Sequence, residues 1–123
     1  MVARAVIWEH QAVQLRLFRM WTLIETSRAI VRDVYAYNYG RADAGERGSI
    51  HHSCASKVFT TNACFEVADT AMQICGGRGT RREGVTFADG TTFYPEKLLR
   101  DAKSYKIADG ENTLLELLGA ANL

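Results

Sequence analysis

The chain has 123 residues, 47% of them apolar, with 15 Lys+Arg against 14 Asp+Glu and a formal net charge of +1. That is one domain's worth of chain, rich enough in apolar residues to exclude a disordered or fibrous protein. A balanced charge with scattered basic residues excludes a nucleic-acid footprint, and the lack of an 18-residue apolar run or a signal-like start leaves no expected membrane span.

From about Ile7 to Tyr39, Val13, Leu17, Trp21, Ile24, Val31 and Val34 fall at helical spacing, and no Gly or Pro intervenes before Gly40. The pattern predicts a first helix roughly 45–50 Å long. Helices of that length pack in bundles or across subunits. Residues 40–49 are polar and glycine-rich and read as a loop. A second long helix is predicted from Ile50 to Cys75, ended by Gly76-Gly77. Val85-Thr86-Phe87 and Thr91-Thr92-Phe93 flank Ala88-Asp89-Gly90, which predicts a small hairpin. Pro95 opens a short third helix to about Tyr105. A fourth covers about Asn112 to Leu118, capped by Asp109, by Asn112, or by a capping box from Thr113 to Glu116. The predicted fold is all-α: an up-and-down four-helix bundle with a short hairpin-like insertion before the third helix.

Cys54, Cys64 and Cys75 are odd in number and form no Cys-x-x-Cys, so they read as reduced, mostly buried thiols of a cytoplasmic protein. His10, His51 and His52 show no metal-ligand spacing, and no metal is expected. Three glycines among Gly76, Gly77, Arg78 and Gly79 let a backbone approach a bulky group and present its N–H groups, although a helix C-cap is the commoner use. Asp109 is read first as a helix cap or dipole partner; a general base needs such a carboxylate on a rigid turn facing a pocket. Arg100 belongs to a solvated charge run, or else orients the turn that bears Asp109.

Together these motifs resemble the C-terminal helical domain of acyl-CoA dehydrogenases. The strongest likeness is Ala71-Met72-Gln73-Ile74-Cys75-Gly76-Gly77-Arg78-Gly79 followed by Tyr94-Pro95-Glu96-Lys97-Leu98-Leu99-Arg100-Asp101-Ala102-Lys103. It is similar to the family's Gln-Ile-x-Gly-Gly-x-Gly and Tyr-Pro-x-Glu-Lys-Leu-x-Arg-Asp-Ala-Lys, and it runs in order over about residues 8–118. Residues 1–123 would then be an incomplete protein, since family members also carry an N-terminal helical and a middle β domain. In that family the C-terminal domains form the core of a dimer or tetramer and FAD lies between subunits. A glutamate removes the α-proton of an acyl-CoA thioester, and hydride passes from the β-carbon to the flavin.

The resemblance implies that Gln73, Gly76, Gly77 and Gly79 contact the ADP part of FAD bound to a neighbouring subunit. It places Asp109 where many members have the catalytic glutamate, matches Gly110 to the glycine that follows, and brings Glu111 and Thr113 near the cofactor. Arg100 would orient the loop. The sequence also departs from the pattern. Asp109 is one methylene shorter, so its carboxylate would fall about 1.5 Å short on an unchanged backbone. Ala108 replaces an aromatic residue, Glu111 replaces a common threonine, and Gly84 to about Thr92 looks like an insertion. The expected function is part of an FAD-dependent acyl-CoA dehydrogenase, working as a homo-oligomer or beside a flavoprotein partner. The isolated chain is expected to be inactive, because no side chain accepts hydride. The alternative is a non-catalytic oligomerisation or regulatory module derived from that family.

Overall fold

The computed structural model describes residues 9–123. Its elements are α1 (Gln11–Asp43), α2 (Ile50–Cys75), a 3-10 turn (Gly76–Thr80), β1 (Val85–Thr86), β2 (Thr92–Phe93), α3 (Pro95–Tyr105) and α4 (Asn112–Ala120). The expected all-α, four-helix architecture with a hairpin before the third helix is present.

Helix α1 begins after His10, whose backbone is still extended at φ −70° and ψ 125°. Ile7 and Trp8, assigned to this helix from the sequence, lie outside the described residues. At its far end α1 runs through Gly40, the expected stop, and ends before Gly45, which turns the chain at φ 75°. The loop is tied back onto α1. Asn38 Oδ1 accepts from the Ser49 N–H at 2.6 Å, and Arg41 Nε donates to the Arg47 carbonyl at 2.8 Å. Ser49 then caps α2 by accepting from the His52 N–H.

Helix α2 is the hub: α1, α3 and α4 each pack on it and touch one another far less. Both short helices run antiparallel to α2, one after the other. The end of α3 brings Lys106 Nζ 5.1 Å from the Phe65 ring centroid. The start of α4 places Asn112 against Thr61 and Asn62, and Gly119 near its end faces Cys54 and His51. The four helices therefore form three rods, the third being α3 and α4 in succession, interrupted by the turn at 106–111.

The core is made of small side chains, which let the helices approach closely. Cys54, Ser56, Val58 and Ala63 are buried on α2, Ala102 on α3, Asn112 on α4 and Val13 on α1. The covering is incomplete. Phe18, Trp21, Tyr35 and Tyr39 on α1 and Leu114, Leu117 and Leu118 on α4 are exposed. The accessible surface is 9114 Å², against about 6,600 Å² for a folded monomer of this mass. Grooves of about 660 and 580 Å³ separate α1 from α4 and α1 from α3. The thiols differ from expectation: only Cys54 is buried, while Cys75 is half-buried and Cys64 exposed. Cys64 lines the groove that α1 and α3 leave open over α2.

In the hairpin, Val85 pairs with Phe93 and Thr86 with Thr92. Asp89 Oδ1 accepts from the Thr91 N–H at 3.0 Å and its hydroxyl at 2.7 Å, and Gly90 supplies φ 83°. Among the described residues no helix is long and apolar enough to cross a membrane.

Candidate functional site

The turn between α3 and α4 holds the predicted carboxylate. After α3, the N–H groups of Ile107 and Ala108 both donate to the Ser104 carbonyl, at 3.0 and 2.9 Å. Two residues in succession then adopt positive φ, Asp109 at 55° and Gly110 at 102°, and the Asn112 N–H closes the turn on the Lys106 carbonyl at 3.1 Å. Asp109 is the only non-glycine residue with positive φ among the described residues. Such a conformation costs on the order of 1–3 kcal/mol and persists where the surroundings fix it. Gly110 resists replacement, because an L side chain is strained at φ 102°.

The surroundings that fix the turn come from α2. Lys57 Nζ donates to the Gly110 carbonyl at 2.7 Å and to Asn112 Oδ1 at 2.8 Å. Asn112, 6% exposed, also donates to Thr61 Oγ1 at 3.0 Å and Asn62 Oδ1 at 3.1 Å. Every buried polar side-chain atom among the described residues finds a partner. Asp109, by contrast, is exposed and its carboxylate joins none of the ion pairs among the described residues.

Glu111 caps α4, a role the sequence assigned to Asp109, Asn112 or Thr113. Its Oε2 accepts from the N–H groups of Thr113 at 2.9 Å and Leu114 at 3.3 Å. Asp109 sits two residues too early, in the turn itself, and the Asn112 side chain is turned inward to the network on α2. The Thr113 amide bond, with the Leu114 amide, the Thr113 hydroxyl and the Lys57 charge behind it, holds the Glu111 carboxyl below the usual carboxylate range against the opposing effect of desolvation. Arg100 contacts Glu96 on its own helix, Nε lying 2.6 Å from Oε1. The side-chain hydrogen bonds to the turn come from Lys57 instead.

The second place is the glycine corner after α2. Gly76 caps the helix at φ 61°, its N–H donating to the Gln73 carbonyl. Gly79 is buried, and a β-carbon there would stand 2.7 Å from the Met72 carbonyl oxygen. The chain's own packing therefore explains that glycine. Gly76 and Gly77 differ: a β-carbon at either meets nothing within 4 Å. Both are exposed, as are Gln73 and Arg78. The corner presents bare backbone beside one amide and one guanidinium, which fits contact with a flat, phosphate-bearing group arriving from outside the chain.

Within one chain the two places are apart. Lys57 marks the level of the turn on α2, and the corner begins 19 residues later, roughly 28 Å along the helix. Asp109, Gly110, Glu111 and Thr113 are thus gathered at one level, and Gln73, Gly76, Gly77 and Gly79 at another. Sequence reasoning missed Lys57, Thr61, Asn62 and Asn112 as parts of the site. Lys57 and Thr61 stand one helical turn apart on α2, but no local signal ties them to the turn.

The class defined here is an all-α, four-helix domain with a glycine corner beyond one end of its central helix and a carboxylate-bearing turn braced on that helix. The family model of the acyl-CoA dehydrogenase C-terminal domain matches residues 2–123, and the chain belongs to that family. Among its relatives is the mitochondrial isobutyryl-CoA dehydrogenase of Dictyostelium discoideum, 30% identical over 112 residues, which are 89% of this chain and 24% of that protein. The probable acyl-CoA dehydrogenase FadE25 of Mycobacterium tuberculosis is 35% identical over 105 residues, 85% of this chain and 23% of that protein. The corresponding protein of Mycobacterium leprae is 33% identical over 104 residues. The chain spans about a quarter of the length of these relatives. No solved structure matches it.

Proposed function

We propose that the chain serves an FAD-dependent acyl-CoA dehydrogenase that desaturates an acyl-CoA thioester between its α- and β-carbons. It contributes the oligomer core, part of the FAD site and the base. The observation that carries this reading is the Asp109 turn: an exposed carboxylate on strained backbone, braced by Lys57 and the buried Asn112. A rigidly held carboxylate without a partner of its own suits proton abstraction.

Asp109 takes the α-proton as the α-carbon–hydrogen bond breaks. FAD, when bound, supplies the hydride acceptor that no side chain provides. Gln73, Gly76 and Gly77 contact the ADP part from a neighbouring protomer, with Gly79 shaping the corner beneath them. Glu111 and Thr113 line the cofactor side of the turn, and Arg100, through Glu96, stiffens the helix leading into it. The roughly 28 Å between corner and turn supports an arrangement in which each complete site draws on two protomers. Three cysteines without disulfide partners among the described residues support a cytoplasmic setting.

The test is anaerobic mixing of the chain with the complementary flavin-bearing domains, FAD and a set of acyl-CoA thioesters. Bleaching of the oxidised flavin band supports the reading. A second reading, a non-catalytic assembly module, draws support from the exposed Phe18, Trp21, Leu114 and Leu117. It is favoured if the chain assembles with a flavoprotein partner while no thioester bleaches the flavin.

A further inference from the structure

Lys57 stands on a helix where a lysine is ordinarily a solvated charge, yet its ammonium is committed to two acceptors. One is the carbonyl of Gly110 at 2.7 Å, the other Asn112 Oδ1 at 2.8 Å, each more than fifty positions away in the chain. The two acceptors bracket Glu111 and follow directly on Asp109. A charged donor makes hydrogen bonds roughly twice as strong as a neutral one. The carbonyl it grips belongs to the second of two consecutive positive-φ residues, so the bond acts on the peptide plane that sets the course of the turn. Asn112 has no alternative partner for that oxygen except the Thr61 hydroxyl at 3.2 Å, and its amide is occupied by Thr61 and Asn62. The Lys57–Gly110 bond lies at the surface while the bonds of Asn112 are part-buried, and Lys57 is the sole cation among them.

We infer that Lys57 is the positioning residue of the active site: by holding the Gly110 carbonyl and Asn112 it fixes the direction in which the Asp109 carboxylate points. This rests on the reading of Asp109 as the base. A displacement of about 1 Å at such a position costs on the order of a hundredfold in rate.

The experiment has two arms. In the first, amide hydrogen exchange at Asn112 is followed in the full chain for wild type, Lys57→Met, Lys57→Gln and Lys57→Arg, with amides in the middle of α2 as internal reference. Exchange at Asn112 at least tenfold faster in Lys57→Met and Lys57→Gln, with α2 still protected and partial recovery in Lys57→Arg, is expected. Should Lys57→Met fail to fold, Lys57→Gln, which stays polar but loses the charge and one atom of reach, decides. Unchanged exchange at Asn112 overturns the inference. In the second arm the variants are assayed in the assembled flavoprotein. A ten- to hundredfold fall in kcat with KM within about threefold, restored in part by Lys57→Arg, is expected. Unchanged kcat in Lys57→Met and Lys57→Gln, while Asp109→Asn abolishes turnover, overturns the inference and leaves the base standing. Unchanged turnover in Asp109→Asn instead removes the base, and with it the inference.

Discussion

A β-carbon on Gly79 would lie 2.7 Å from the Met72 carbonyl oxygen, so the chain leaving α2 folds back on the helix's own last turn only because residue 79 has no side chain. Gly77, two residues earlier, faces open space. The two glycines therefore separate structure from contact. Gly79→Ala should lose about 1–3 kcal/mol of stability by overpacking. Gly77→Ala should stay within about 0.5 kcal/mol of wild type and weaken FAD retention in the assembled flavoprotein. Urea denaturation and flavin titration measure the two effects. Equal stability losses in both variants would contradict this division.

Asn112 is buried with partners on three residues of α2. Asn112→Leu leaves Lys57, Thr61 and Asn62 short of partners and should cost about 1–3 kcal/mol. The midpoint of urea unfolding should move while its slope stays the same. Thr61→Val, which removes one hydroxyl from the same network, should cost less.

Glu111 gives a pH dependence. Its carboxyl is held below the ordinary range, first by the Thr113 N–H, then by the Leu114 N–H, the Thr113 hydroxyl and the Lys57 charge. A lowered folded-state value means the ionised form is favoured by folding. The contribution is fully present above the unfolded value of about 4.3 and disappears as pH falls through the folded one. Glu111→Gln should therefore be less stable than wild type at pH 6, and the gap should close in acid. A gap that stays constant from pH 6 to pH 3 would show that the carboxylate charge is not what caps α4.

The exposed aromatic pair Phe18 and Trp21, with ring centroids 5.7 Å apart, and the leucines of α4 leave the chain with more surface than its mass predicts. In sedimentation the wild-type chain should run as more than one copy. Trp21→Ser combined with Leu117→Ser should shift it toward the monomer, because uncovered apolar stripes drive association. A wild-type chain that is monomeric at all concentrations would argue against an oligomer core.

Much of this fold was legible in the sequence wherever a residue acts through the backbone nearby. Gly76 after Cys75 and Pro95 after Tyr94 set the limits of α2 and α3 to the residue. Asp89-Gly90 marked the hairpin turn. Gly40 misled, since a glycine inside a long helix costs only about 1 kcal/mol and α1 passes through it. The α4 cap was misassigned among neighbours that can all accept a hydrogen bond, and only the geometry selects Glu111. The brace on the Asp109 turn was invisible, because nothing local distinguishes Lys57 from a solvated lysine when its partners lie in another helix and the loop before it.

The most direct measurement is the anaerobic rate of flavin reduction by an acyl-CoA thioester in the assembled flavoprotein, compared between wild type, Asp109→Asn and Asp109→Glu. The account predicts a loss of at least a hundredfold in Asp109→Asn, which keeps the size of the side chain but cannot take a proton. It predicts retained reduction in Asp109→Glu. Reduction at the wild-type rate in Asp109→Asn would contradict it.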